Sequence, residues 1–146
     1  MPEVSNHSAK KRSRFPRGMR LLRHADFERV YKSGRRHFST LLTAFYLARQ
    51  PEDAVPAGLR VGFTVGRALG GAVDRNRMKR RLREAVRLSD PPRTLDADVV
   101  INPKKSLLTA DFEAVLNEVR RAFVVIEGKL SDKKSAVRAP RENAKG

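Results

Sequence analysis

The chain has 146 residues and sets 32 lysines and arginines against 16 acidic residues, so its formal net charge of +16 calls for an anionic partner. A hydrophobic content of 40% suffices for one compact core, and the lack of cysteine excludes disulfides, thiolate zinc sites and a cysteine nucleophile. No apolar run reaches the length of a bilayer span and the N-terminus lacks the apolar segment of a secretory signal, so a cytoplasmic protein without membrane contact is expected.

In chain order, residues 1–18 hold Lys10, Lys11, Arg12, Arg14 and Arg17 among few apolar side chains. They read as a disordered basic arm, either an inert solubilising tail or, the better reading given a sign that matches the central helix, an arm that contacts RNA. A domain is expected over residues 19–127. It opens with a short helix over Arg23 to Ser33, with Asp26 near its start, Gly34 just past its end, and Phe27, Val30 and Tyr31 on one side. Phe27 and Tyr31, one turn apart, either pack on a sheet or form a stacking platform for single-stranded bases. Phe38 to Arg49 reads as one strand, with Leu41, Thr43, Phe45 and Leu47 on one face and Leu42, Ala44 and Tyr46 on the other. Gln50 to Gly58 has the length of a hairpin loop, and Leu59 to Val65 reads as the partner strand.

The basic segment follows. Between Arg67 and Arg87 stand eight basic residues, offset only by Asp74 and Glu84. At 3.6 residues per turn, Met78, Leu82, Ala85 and Val86 form the apolar stripe of an amphipathic helix. Asn76, Arg80, Arg83 and Arg87 point the opposite way, Arg77 and Lys79 take the shoulders, and Arg75 and Arg81 flank the stripe. Pairs of Glu84 with Arg80 or Arg87 would suit a solvated helix face. Two carboxylates cannot offset eight cations, and phosphate binding is the better reading. Asp74 or Gly71 is placed to cap the helix. Beyond a loop with Pro91 and Pro92, Ala97 to Ile101 reads as a short buried strand in which Asp98 is unexpected; it would lie near a hydrated metal ion or, the simpler explanation, at an edge. Thr109 precedes a last helix carrying Phe112, Val115, Leu116, Val119 and Phe123 at helical spacing. From Gly128 to Gly146 a disordered basic tail is expected. His7, His24 and His37 lie far apart and show no metal-ligand spacing.

The segment GFTVGRALGGAVDRNRMKRRLRE, Gly62 to Glu84, resembles the signature of the protein component of bacterial ribonuclease P. The resemblance runs from Leu22 to about Ile126 and includes Asp26-Phe27, Gly34, Arg60-Val61-Gly62 and the Asp98-Val99-Val100 strand. It implies an α+β fold with a single four-stranded sheet, in the order α-β-β-β-α-β-α with a left-handed crossover. That handedness runs against the general preference for right-handed crossovers. It also implies a ribonucleoprotein subunit in which a large RNA, using bound Mg2+, is the catalyst. The protein assists removal of the 5′ leader from precursor tRNA, one copy per RNA subunit, and contributes no catalytic residue and no metal site. Arg75, Asn76, Arg77, Lys79, Arg80 and Arg83, with Arg67 in the preceding loop and Arg87 further along, would face the catalytic RNA. Phe27, Tyr31 and Phe45 would line the leader cleft. The chain departs from the family pattern at Gly66-Arg67-Ala68 and at Asn102-Pro103, where Lys104 and Lys105 follow.

Two other classes compete. A protein nuclease would need a carboxylate cluster or a histidine pair, and neither is visible. A sequence-specific DNA reader matches the charge, but a helix with many cations on its faces and a single amide favours phosphate contact over base reading, and a ribosomal-type module fits the composition but not the match to the signature.

Overall fold

A computed structural model describes residues 17–50 and 58–138. The expected arm up to Pro16 and the end of the expected tail from Ala139 lie outside the described residues. The elements are α1 (His24–Ser33), β1 (Arg35–Phe38), β2 (Leu42–Ala48), β3 (Arg60–Phe63), α2 (Ala72–Ser89), β4 (Ala97–Pro103) and α3 (Phe112–Arg138), with single 3-10 turns at Arg17–Met19, Arg67–Leu69 and Lys105–Leu108. This is the α-β-β-β-α-β-α order implied by the resemblance.

The four strands form one mixed sheet in the order β1-β2-β4-β3, antiparallel except for the parallel β3–β4 pair. β3 is therefore not the hairpin partner of β2, because β4 lies between them. Val99, Val100 and Ile101 of β4 are fully buried, and a strand apolar on both faces belongs at the centre of a sheet. The strand expected over Phe38 to Arg49 is divided. Ser39 N–H donates to Leu42 O at 2.9 Å, folding β1 back on β2, and Glu118 of α3 fixes the bend by accepting from Leu41 N–H at 2.8 Å and from the Ser39 hydroxyl. The arginines of β1 suit an outer strand, where charge discourages further pairing.

Alternation along β2 splits the core. Leu42, Ala44 and Tyr46 face the main cluster built with α2 and α3, whereas Phe45 and Leu47 face α1 and pack with Leu21, Val30 and Val100. Leu41 lies in the bend before β2 and joins the main cluster rather than the Phe45 side. The last helix does not stop at Gly128. Val119, Phe123, Ile126 and Leu130 are all buried at steps of four or three, and that continued burial outweighs the roughly 1 kcal/mol cost of a helical glycine.

Asp98 is not at an edge. It is fully buried on the central strand, where Oδ1 accepts from Arg49 Nη1 at 2.6 Å and from Arg60 Nε at 2.9 Å, while Oδ2 accepts from Arg60 Nη2 at 2.9 Å. Arg60 also reaches Asp26 of α1 at 3.5 Å. Burial works against the Arg60 charge, but the hydrogen bond and charge of Asp98, joined by Asp26, prevail and raise its pKa. Two arginines and two carboxylates thus tie β2, β3, β4 and α1 together.

Candidate nucleic-acid interface

α2 owes its placement to the stripe read from the sequence: Met78, Leu82, Ala85 and Val86 are all fully buried. Burying Met78 and Leu82 contributes about 1.5–3 kcal/mol each, which opposes the mutual repulsion of the cations on the same helix. Gly71 occupies the N-cap position without a side-chain cap, and Gly70 before it has a φ of 139°, a conformation that L side chains rarely adopt.

The cations of this segment divide into two groups. Arg81 turns inward and donates to the backbone carbonyls of Leu107 at 3.3 Å, Leu108 at 2.8 Å and Ala110, clamping the turn that leads into α3. Arg75 Nε donates to Gly70 O at 3.1 Å and braces the loop before the helix. Arg87 is paired with Glu84, which leaves Arg80 without that carboxylate. By contrast, Arg67, Asn76, Arg77, Arg80 and Arg83 are exposed and Lys79 is half-buried. Among the described residues no carboxylate is paired with any of these cations. They present an electropositive face that no ion pair among the described residues neutralises.

The three aromatics lie on the other side of the sheet, between it and α1. Tyr31 meets Phe45 edge to face, with ring centroids 4.9 Å apart and planes at 86°. The Tyr31 hydroxyl stands 2.7 Å from Thr64 Oγ1 and 3.1 Å from Asn102 Oδ1, yet the residue remains 38% exposed. Phe27 lies over Gly62, where the Cβ of any other residue would fall 2.5 Å from the ring and force the ring to shift. Phe27 and Phe45 are half-buried against the small core cluster, so packing and an open aromatic edge coexist at this site.

Around the β3 edge the two surfaces meet. An open recess of about 240 Å³ is lined by Lys79 and Arg83 of α2, Phe27 of α1, Gly62 of β3, and Arg20 and Leu21 from the segment before α1. That segment runs along β3, with Leu21 N–H donating to Val61 O at 2.9 Å. Sequence periodicity sorted the α2 residues by face, but did not indicate that Lys79 and Phe27 share a recess. It also passed over Thr64, Asn102, Arg36 and Phe38 as site residues. The alternation in Arg35–Phe38 was the available signal for the last two.

Fold and surface together define a small basic α+β protein whose open sheet carries a strongly cationic helix on one side and an aromatic cluster on the other. The model of the family Ribonuclease P matches residues 15–127, and the chain belongs to that family. A ribonuclease P protein component from Citrifermentans bemidjiense is 38% identical over 112 residues, covering 76% of this chain and 90% of that one. One from Oleidesulfovibrio alaskensis is 43% identical over 91 residues, covering 62% and 70%. Among solved structures, the Staphylococcus aureus RNase P protein superposes with a TM-score of 0.61 at 22% identity, covering 75% of this chain and 94% of that one. The Thermotoga maritima RNase P protein, solved with 1-(4-fluorophenyl)-2-thiourea, gives 0.60 at 25% identity, with 71% and 96% covered.

Proposed function

We infer that this chain is the RNA-binding protein subunit of ribonuclease P, the endoribonuclease that removes the 5′ leader of precursor tRNA. The observation that carries the reading is the set of α2 cations that have no carboxylate partner among the described residues, joined through the recess lined by Lys79, Arg83 and Phe27 to the aromatic cleft. Arg67, Arg77, Lys79, Arg80 and Arg83 bind phosphates of the catalytic RNA, with Asn76 among them as a hydrogen-bonding amide. Arg75 and Arg87 act at the rim of that surface, Arg75 mainly by holding the loop. Phe27, Tyr31 and Phe45 hold the leader by stacking and apolar contact, which is tolerant of base identity and suits a set of many precursors.

The chemistry belongs to the RNA. The resemblance places the Mg2+ mainly on the RNA subunit, and this chain contributes binding and orientation of the two RNAs. No described helix is long and apolar enough to cross a membrane, and the proposed setting is the cytoplasm, with one protein per RNA.

The test adds the purified chain to a cognate ribonuclease P RNA at low magnesium and follows precursor cleavage. Leader removal should be stimulated, while the protein alone should cut nothing. Absence of stimulation would refute the assignment.

A further inference from the structure

On the face of the sheet that carries α1, the strand register lays side chains in rows. Residues directly opposite in a ladder share a face, so Phe38, Thr43 and Asn102 form one row, and Arg36, Phe45, Val100 and Gly62 the next. The α1 aromatics cover part of these rows, with Phe27 on Gly62 and Tyr31 against Phe45 and Asn102. The β1 end of both rows lies open. Phe38 is 65% exposed and Arg36 is exposed. The Arg36 guanidinium carbon stands 5.7 Å from the Phe38 ring centroid and 5.8 Å from that of Phe45, so one cation bridges the two rings.

We propose that Phe38 and Arg36 form a further station for single-stranded RNA at the β1 edge, which takes a leader nucleotide more distant from the cleavage point than the one held by Tyr31 and Phe45. The proposal rests on the ribonuclease P reading above and extends its leader path. An exposed ring with a cation close to it supplies what an unpaired nucleotide needs, a stacking surface for the base and a charge for the phosphate. Charge selects the occupant: β1 offers Arg36 beside the exposed ring and carries no acidic residue. Continuity sets the order along the strand. The α2 docking face joins the cleft at β3, and β1 is the opposite edge of the sheet, three strand spacings or about 14 Å away. A leader that starts at the docked RNA therefore reaches Phe38 last.

The experiment measures the affinity of the assembled holoenzyme for precursor tRNAs that share one body and differ in leader length. Phe38→Ala should leave short-leader precursors bound as by the wild type and weaken long-leader ones about fivefold or more. Phe38→Trp should bind like the wild type, and Phe38→Leu, apolar but without a ring, should behave like the alanine variant. Tyr31→Ala should already weaken the shorter leaders. If Phe38→Ala matches the wild type at every length while Tyr31→Ala is impaired, the β1 station is overturned and the cleft reading stands. If neither variant changes binding at any length, the cleft reading itself falls. An equal loss on mature tRNA and all precursors, or a change confined to self-association of the free protein, would assign Phe38 to another role and overturn the proposal.

Discussion

Replacing Arg80 and Arg83 together by alanine separates the two groups of α2 cations. Five cations of the segment, Arg67, Arg77, Lys79, Arg80 and Arg83, have no carboxylate partner among the described residues. If each neutralises one phosphate, log affinity for the RNA subunit falls with log salt at a slope of about −4.5, at roughly 0.9 per contact on a duplex. A fourfold rise in salt then weakens wild-type binding on the order of 500-fold. With two contacts removed the slope becomes about −2.7 and the same rise costs only about 40-fold. Filter binding or fluorescence anisotropy across a salt series reads both slopes. The comparison is Arg81→Ala, which removes donors to the Leu107, Leu108 and Ala110 carbonyls. It should lower folding stability by about 1–3 kcal/mol and leave the slope of the folded protein unchanged. An unchanged slope for the Arg80/Arg83 variant, or an equal flattening by Arg81→Ala, would refute the division.

Asp98→Asn leaves Arg49 and Arg60 buried with their shared charge partner gone, and chemical denaturation should show a loss of about 3–5 kcal/mol; a loss below about 1 kcal/mol would mean the network is dispensable. Gly62→Ala places a methyl group where the Phe27 ring lies, so affinity for precursor should drop while affinity for the RNA subunit holds, and equal losses on both would disconnect Phe27 from the leader. Burial, then the Arg121 charge, lowers the His37 pKa below its ordinary 6.5, with Glu118 pulling the other way. The unfolded chain therefore binds a proton that the folded protein resists, and stability is lost as pH falls through 6.5 toward the depressed folded value. The melting temperature should drop between about pH 7.5 and 5.5, and His37→Asn should reduce that drop; identical drops would remove His37 as the cause.

Features set by neighbours in sequence were legible before the fold was known. The α2 stripe is an example, since a helical period needs only its own residues to declare a buried face. The aromatic pair on α1 is another, although spacing alone left Phe27 and Tyr31 undecided between core and cleft. The features that escaped depend on distant partners. Asp98 reads as an anomaly until Arg60, 38 residues away, and Arg49, 49 residues away, are seen to surround it. The β1–β2 bend contains no glycine or proline and rests on Glu118, 77 residues from Leu41. Strand order is equally non-local, so β4 between β2 and β3 could not be read from a hairpin-length loop. Arg75 and Arg81 could be placed near the core stripe by periodicity, but their roles followed only from where Gly70, Leu108 and Ala110 present their carbonyls. The family resemblance carried the strand count and the partner, which periodicity could not supply.

The departures from the family pattern acquire a physical meaning at the cleft. Asn102 places its amide oxygen 3.1 Å from the Tyr31 hydroxyl, and Thr64 brings its own hydroxyl to 2.7 Å. A charged side chain at position 102 would compete with Tyr31 for that space, whereas a neutral amide holds the ring in register with Phe45. Further along, Lys104 Nζ donates to Ser39 O at 2.6 Å beside the end of β1. The bend that ends β1 is thus held from one side by Glu118 and from the other by Lys104. Phe38, immediately before that bend, is exposed on strand geometry that two distant charged residues maintain, which is a more exact placement than a free surface loop would give it.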